Sequence, residues 1–383
     1  MDLNHYFDPV DFSIYIESTR LKWSQTLGAA IEKNTLALNE QNKTSMEVAI
    51  VGLPFENFGN EVVPSDVADL VREELYQLSG LRKINIVDLG NLKPAQSQKG
   101  NFLALRDVID YLTELQIAAV VIGGSEDFSF GISQAFRNNK FFSFSAVDAC
   151  LDIKKTVESY QPDNYLSRIF STQPDVFQFN LIGYQRHYVA DESFAKLKGV
   201  GCHLSLGKLR EDLSLTEPLF RNSDFVSIDF GSLKYSESHG KKKLPNGLGG
   251  EEICQLARFA GMSTRVKALG LFEVNASEDP AGINVAMAAQ AAWYFVEGIT
   301  LRNHLDPAKQ EGFTINKVEV WQVETPLVFY QNNENGQWWM QLKAADQSVH
   351  YLACSEQDYL DATYNEIPEI WLKYVQKIDE ILK

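Results

Sequence analysis

From residue 47 to about residue 302 the chain alternates strand-sized apolar runs with amphipathic stretches, a rhythm that few architectures accept. Runs at 48–54, 84–90, 118–122, 141–147, 176–182, 201–206, 225–228 and 266–274 are apolar nearly throughout rather than at every second position. A strand of that kind is buried on both faces, which a parallel sheet covered by helices provides. Helical patterns fall between the runs. One opens at Pro64-Ser65-Asp66 with Leu70, Val71, Leu75 and Leu78 on its apolar face, and others lie at 102–115, 131–136, 191–198, 250–260 and 282–302. The expected fold is α/β and doubly wound: a mostly parallel sheet in a three-layer αβα arrangement, joined by right-handed crossovers.

The rhythm stops near residue 304. Beyond it, 318–323, 327–330 and 338–342 alternate like β-strands, Asn335-Gly336 is a hairpin turn signal, and 368–382 reads as a closing helix. Three parts follow: a polar N-terminal arm (1–46) lying on the core, the α/β domain (47–304), and a small β-rich extension (305–383) packed against it.

Apolar content of 45% and a charged fraction of 22% are those of a soluble globule. The formal charge of −16 argues against nucleic acid or an anionic membrane as partner, since both need a basic footprint. Lys241-Lys242-Lys243 is too short to reverse this and reads as a solvated loop. No apolar stretch approaches the ~20 residues of a membrane span. The first residues show neither a basic n-region nor a continuous apolar segment, so a cytoplasmic location is expected. Cysteines at 150, 202, 254 and 354 have no CxxC spacing and suggest neither a disulfide framework nor a zinc site.

Three of the apolar runs end in small and acidic residues: Gly123-Gly124-Ser125-Glu126, Asp148-Ala149-Cys150-Leu151-Asp152, and Asp229-Phe230-Gly231. The C-terminal ends of strands are where open α/β sheets build their sites. Alone, Asp148 or Asp152 reads as the cap of the next helix or turn. Joined with Asp229, they read equally well as ligands.

Taken together, the segments resemble the ureohydrolases, the family of arginase, agmatinase and formimidoylglutamase. The resemblance spans residues 47–302. Gly52-Leu53-Pro54, Asn60, Pro64 and Arg72 are similar to the family's first-strand signature, and Val87-Asp88-Leu89-Gly90 to its next strand. Leu248-Gly249-Gly250 with Glu251 resembles a glycine-rich turn. Phe272-Glu273-Val274-Asn275 with Asp279-Pro280-Ala281-Gly282 resembles the late strand and helix start. The Tyr184-Gln185-Arg186 strand end, and the lack of a Gly-Asn-x-His-Gly loop after Asp152, look more like formimidoylglutamase than arginase.

The resemblance implies a two-manganese site and hydrolysis of a guanidino or formimino C–N bond. In such a site two ions share a water, lower its pKa and aim the hydroxide at an electrophilic carbon. The family takes its ligands from Gly-Gly-Asp-His, Asp-Ala-His-x-Asp and Asp-x-Asp. Carried over by position, Asp148, Asp152 and Asp229 are kept, while Glu126 and Cys150 stand for histidines and Gly231 for an aspartate. Glu126, Asp148, Asp152 and Asp229 then match one ion's sphere. The other is left with the bridging Asp148 and Asp229 plus a thiol, which suits manganese poorly. Mn2+ is the cofactor the resemblance implies, and the residues kept argue for one divalent cation at most, or none. Glu273 matches the family carboxylate that faces the cationic end of the substrate.

Several residues keep two readings. Cys150 also reads as a small buried residue, and Glu126 as a first-turn helix acid. Arg186 suits either a bidentate fork to a substrate carboxylate or a structural salt bridge. Trp321, Trp338 and Trp339 suit packing of the extension, or a protein partner, better than a ligand platform. The expected function is a formimidoylglutamase-like protein with a degenerate binuclear centre that acts by binding or assembly. The alternative is an active metal-dependent C–N hydrolase with an altered, mononuclear site. Expected partners are a small nitrogenous substrate or ligand, and a second copy or another protein docking through the extension.

Overall fold

The apolar runs become the strands of a ten-stranded sheet. The structure, a computed structural model, describes residues 1–11, 21–35, 38, 46–58, 61–154, 160–197 and 199–382. Asn60 of the first-strand signature lies outside the described residues. The parallel core consists of β1 (Val48–Gly52), β2 (Ile86–Leu92), β3 (Ala118–Ile122), β4 (Ser143–Val147), β5 (Gln178–Tyr184), β6 (His203–Ser205), β7 (Phe225–Asp229) and β8 (Ala268–Phe272). Their order across the sheet is β2-β1-β3-β8-β7-β4-β5-β6, every neighbouring pair parallel. Strands β1, β3, β4, β7 and β8 are buried at every position, which is why their sequences do not alternate. Apolar cores form on both sides of the sheet, beneath helices that include Val67–Gln77, Gln98–Glu114, Gly250–Met262 and Ile283–Ile299. The doubly wound α/β fold is as expected.

The N-terminal arm joins the sheet instead of only lying on the core. Phe7–Asp8 pairs antiparallel and Glu32–Lys33 parallel with β2, so the arm supplies backbone partners to an otherwise open edge. Its strands are two residues each, too short for a polar sequence to announce.

A buried ion pair fastens this half of the domain. Arg72 lies on helix Val67–Gln77 and is fully buried; Asp88 lies on β2. Arg72 Nε donates to Asp88 Oδ2 at 2.8 Å, and its Nη2 donates to Gly90 O at 2.8 Å. Tyr76 O–H adds a second donor to Asp88 Oδ2 at 2.7 Å.

The extension is a four-stranded antiparallel sheet, Phe313–Val318, Leu327–Asn332, Trp338–Lys343 and Val349–Cys354, followed by helices Glu356–Thr363 and Glu369–Leu382. The strand expected at 318–323 ends where it was expected to begin, because the residues after Val318 turn to reach the next strand. Trp338 stacks on Tyr359 and Trp339 meets Phe313, so both pack the extension, whereas Trp321 is 91% exposed. Arg221 donates to Trp338 O and Cys354 O, and Asn222 exchanges two hydrogen bonds with Ala353. These anchors, with Phe141 and Phe177 of the main domain, precede β4, β5 and β7 in the chain. The extension therefore sits at the N-terminal edge of the sheet, opposite the strand ends that carry the acids.

Removing one partner of a buried pair strands the other charge, so Arg72→Leu should cost about 3–5 kcal/mol. Urea denaturation should show a lower midpoint at an unchanged slope; a loss under about 1 kcal/mol would mean that Asp88 finds another donor.

Candidate functional site

Strands β3, β8, β7 and β4 are neighbours, and each delivers an acid to the same edge. After β3, Gly123 and Gly124 take positive φ of 84° and 79°. A Cβ on Gly124 would lie 2.8 Å from Leu53 Cδ1, so this turn requires glycine. The turn leads to Glu126, which is buried, and the Glu126 N–H donates to Glu273 Oε1 at 3.0 Å. Glu273, just past β8, has a φ of 58°, and its own N–H donates to Gly124 O at 3.0 Å. A side chain in the left-handed region is strained, and this double tie between two strand ends holds it there. Asp229 closes β7 and accepts from the Gly231 N–H at 2.5 Å. Asp148 follows β4, its N–H donating to Ile182 O at 3.1 Å.

Glu126, Asp148 and Asp229 each bring one oxygen to within 4.8 Å of the others, a spacing that could hold a metal ion. Asp152 is close enough to these groups for its own ionisation to depend on theirs, burial being the main influence on it. Tyr165 O–H donates to Glu126 Oε1 at 2.9 Å. Cys150 lies beside them, and burial pushes its thiol up to about 12, so without a metal it is protonated near neutrality. Gly231 offers no side-chain donor.

The basic run corrects the reading of it as a solvated loop. Lys242 reaches in between β4 and β7, its Nζ 2.7 Å from Asp148 Oδ1 and 2.5 Å from Asp229 Oδ2. Lys241 Nζ lies 2.6 Å from Glu56 Oε2 and 3.5 Å from Glu273 Oε2. Lys243, the most exposed of the three, pairs with Glu278 at 2.7 Å. Sequence reasoning missed Lys241, Lys242 and Tyr165. A basic run beside the glycine-rich turn at 248–250 was the available hint, but loop periodicity does not tell which way a side chain points.

Arg186 is placed apart from this cluster. It pairs with Asp191, its Nη1 donates to Val189 O at 2.9 Å, and its side chain is largely exposed. A crevice of about 510 Å³ is lined by Glu56, Asn57, Ser125, Lys241, Glu273 and Asn275, among others.

Burial dominates the electrostatics. It raises Glu126 well above the usual carboxylate range, with Asp148, Asp229 and Asp152 adding to the effect. It raises Asp148 and Asp152 as well, and pushes Asp229 up to about 7, in each case against the pull of Lys242. Burial disfavours the Lys242 ammonium, but Asp148, Asp229 and Asp152 outweigh it and hold the group well above its ordinary value. The cluster thus contains one firmly held cation and several carboxyls that ionise reluctantly.

Asp127, next to the cluster, accepts from Ser125 Oγ at 2.6 Å and from Asn57 Nδ2 at 2.8 Å, yet burial pushes it up from 3.8 to about 7. A carboxyl raised in this way contributes stability below its unfolded pKa and loses it as pH climbs through the folded one. Asp127→Asn should therefore gain on the parent between about pH 5 and about pH 8, by a few kcal/mol at most, at about 1.4 kcal/mol per unit. Urea midpoints at the two pH values test this; an equal difference at both would refute it.

No family model matches the chain, and no curated protein matches it. Solved structures do. A Trypanosoma cruzi formiminoglutamase with Mn2+ superposes with a TM-score of 0.61 at 16% identity, over 70% of this chain and 97% of that one. Formimidoylglutamase from Bacillus subtilis gives 0.62 at 15% identity, over 75% and 94%. The agmatine ureohydrolase of Thermoplasma volcanium gives 0.58 at 15% identity, over 75% and 96%. The likeness covers nearly the whole of each neighbour and leaves part of this chain over. These superpositions show that this chain has the α/β fold of those solved structures.

Proposed function

We propose that this chain is a formiminoglutamase-like protein that has given up metal-dependent hydrolysis and works as a binding or assembly protein. The observation that carries the reading is the Lys242 ammonium, 2.5–2.7 Å from the two carboxylates that would bridge a metal pair. Hydrolysis of a formimino or guanidino carbon by this type of site needs a metal-bound hydroxide. Here the bridging oxygens are engaged by the chain's own cation, one ligand position is glycine, and another is a thiol, a poor match for manganese. Lys241 meets Glu273 in the same way, neutralising the carboxylate that would face a cationic substrate. At most one divalent ion would find a place, and only by displacing Lys242.

What remains is the crevice lined by Glu56, Asn57, Ser125 and Asn275, of a size and polarity that suit a small nitrogenous ligand. Assembly through the extension belongs to the same reading. Trp321 and Tyr364 are exposed there on adjoining turns, joined by the Trp321 N–H donating to Asn365 Oδ1 at 2.9 Å.

One observation favours a second reading, an altered mononuclear hydrolase: Glu126, Asp148 and Asp229 still converge within 4.8 Å. Metal content after loading with MnCl2 and exhaustive dialysis separates the two readings, together with assays on formimidoylglutamate, agmatine and arginine. The proposal expects well under one ion per chain and no turnover. One retained ion with turnover of any of the three would establish the hydrolase instead.

A further inference from the structure

We infer that Gly231 and Lys242 are a matched exchange for a metal centre: the glycine opens the path and the lysine supplies the cation that holds the strand ends together. The inference rests on the reading that the centre is no longer a working metal site, and it adds how the chain keeps its acids without one.

The first observation is steric. A Cβ on Gly231 would lie 2.9 Å from Lys242 Cγ and 3.1 Å from its Cδ, and 2.9 Å from Asp229 Oδ1. Contacts under 3.0 Å are not tolerated, and the atom met here is the stem of the lysine near its root, not its mobile end. Any side chain at 231 must therefore displace the Lys242 stem or the Asp229 carboxylate. An acidic ligand at 231 and an inserted lysine at 242 thus compete for the same space, and this chain holds glycine with lysine.

The second observation is that the turn carrying the lysine is built in place. Asn275 Nδ2 donates to His239 O at 2.6 Å, and His239 takes a φ of 52°. A Cβ on Gly240 would lie 2.8 Å from Phe230 O, so the turn rests directly on the backbone that follows β7. The Lys243 N–H donates to Gly240 O at 3.1 Å, and Leu244, buried, accepts from the Tyr235 N–H at 2.8 Å. Asn275 is itself fixed by Asn284 Oδ1, which accepts from its N–H at 2.8 Å, and the Asn284 N–H donates to Asp279 Oδ2 at 2.6 Å. The ammonium thus arrives on a supported loop and meets acids from two different strands. A lysine is a compact point charge with three donors, which suits a gap between carboxylates better than a planar guanidinium does.

The test is a double-mutant cycle on the full chain, with Mn2+ alone as the probe. Thermal melts with and without MnCl2 and calorimetric titration with MnCl2 are measured for the parent, Lys242→Ala, Gly231→Asp and the double variant. The parent should neither bind Mn2+ nor shift its melting temperature. Lys242→Ala should melt lower than the parent without metal, then bind Mn2+ and regain melting temperature with it. Gly231→Asp alone should destabilise, and much less so in the Lys242→Ala background, so that the two substitutions are strongly non-additive. The double variant should bind Mn2+ at least tenfold tighter than Lys242→Ala. Lys242→Gln, which keeps a donor for Asp148 and Asp229 but loses the charge, takes the place of Lys242→Ala if that protein does not fold. Additive effects, or equal Mn2+ affinity of the parent and the lysine variants, would overturn the exchange. Mn2+-dependent turnover by the parent would instead overturn the proposed function, and the cycle would still decide whether 231 and 242 are coupled.

Discussion

Four neighbouring parallel strands end in carboxyl groups that are kept from water, and that charge must be answered before anything else can be built on the edge. Taking an ion out of water costs several kcal/mol even after the protein relaxes, and like charges sharing a site deepen the penalty. Three answers are available: a metal, protons, or a cation of the chain's own. Here a cation of the chain's own stands among the acids. Lys242 supplies one full charge between Asp148 and Asp229, and burial holds Glu126 and Asp152, which it does not pair with, above the usual carboxylate range. The glycine turn after β3, the strained Glu273 and the fixed loop at 239–244 bring these groups within reach of one another.

The same domain solves a similar problem elsewhere by different means. Asp88 is as deeply buried as Asp229, but it meets a guanidinium whose fork satisfies several acceptors at once, with Tyr76 adding another donor. That pair ties one helix to one strand and leaves little for a ligand to do. The Lys242 arrangement ties a loop to two strands and stands beside an open crevice. Arginine suits the first setting because its geometry is planar and fixed, and lysine the second because it enters as a point charge on a thin stem. Structural and site-like charge burial can thus be told apart by what lies next to them.

The extension bears on this through where it docks. Arg221 and Asn222 receive it just before β7, and Phe177 just before β5, so it covers the N-terminal edge of the sheet. Because all the core strands run parallel, the acidic edge lies at the far end. The extension and the acidic strand ends therefore lie at opposite ends of the same strands. The crevice stays open to solvent chemistry, and the extension keeps an exposed tryptophan that its own packing does not use.

Most of the α/β domain was legible because strands buried on both faces and helices buried on one carry unmistakable periods. The two-residue strands of the arm carry no period, and the first strand of the extension shifted because Val320 resembles a strand residue while lying in a turn. The acids were legible as a group, since each follows an apolar run. Their neighbourhood was not, because the order β3-β8-β7-β4 is a property of crossovers and not of any segment. Lys242 was the hardest residue to see. Its partner Asp148 lies 94 positions away, and three lysines in a row look solvated from every local point of view. Charge alone posed the question. By the resemblance, Glu126, Cys150 and Gly231 stand for two histidines and an aspartate while Asp148, Asp152 and Asp229 are kept, so the strand ends still gather several acids. Such a cluster stays buried only with a metal, with protons or with a cation brought from elsewhere in the chain. The sequence leaves a metal or protons as the answers, and only the fold brings Lys242 in between Asp148 and Asp229.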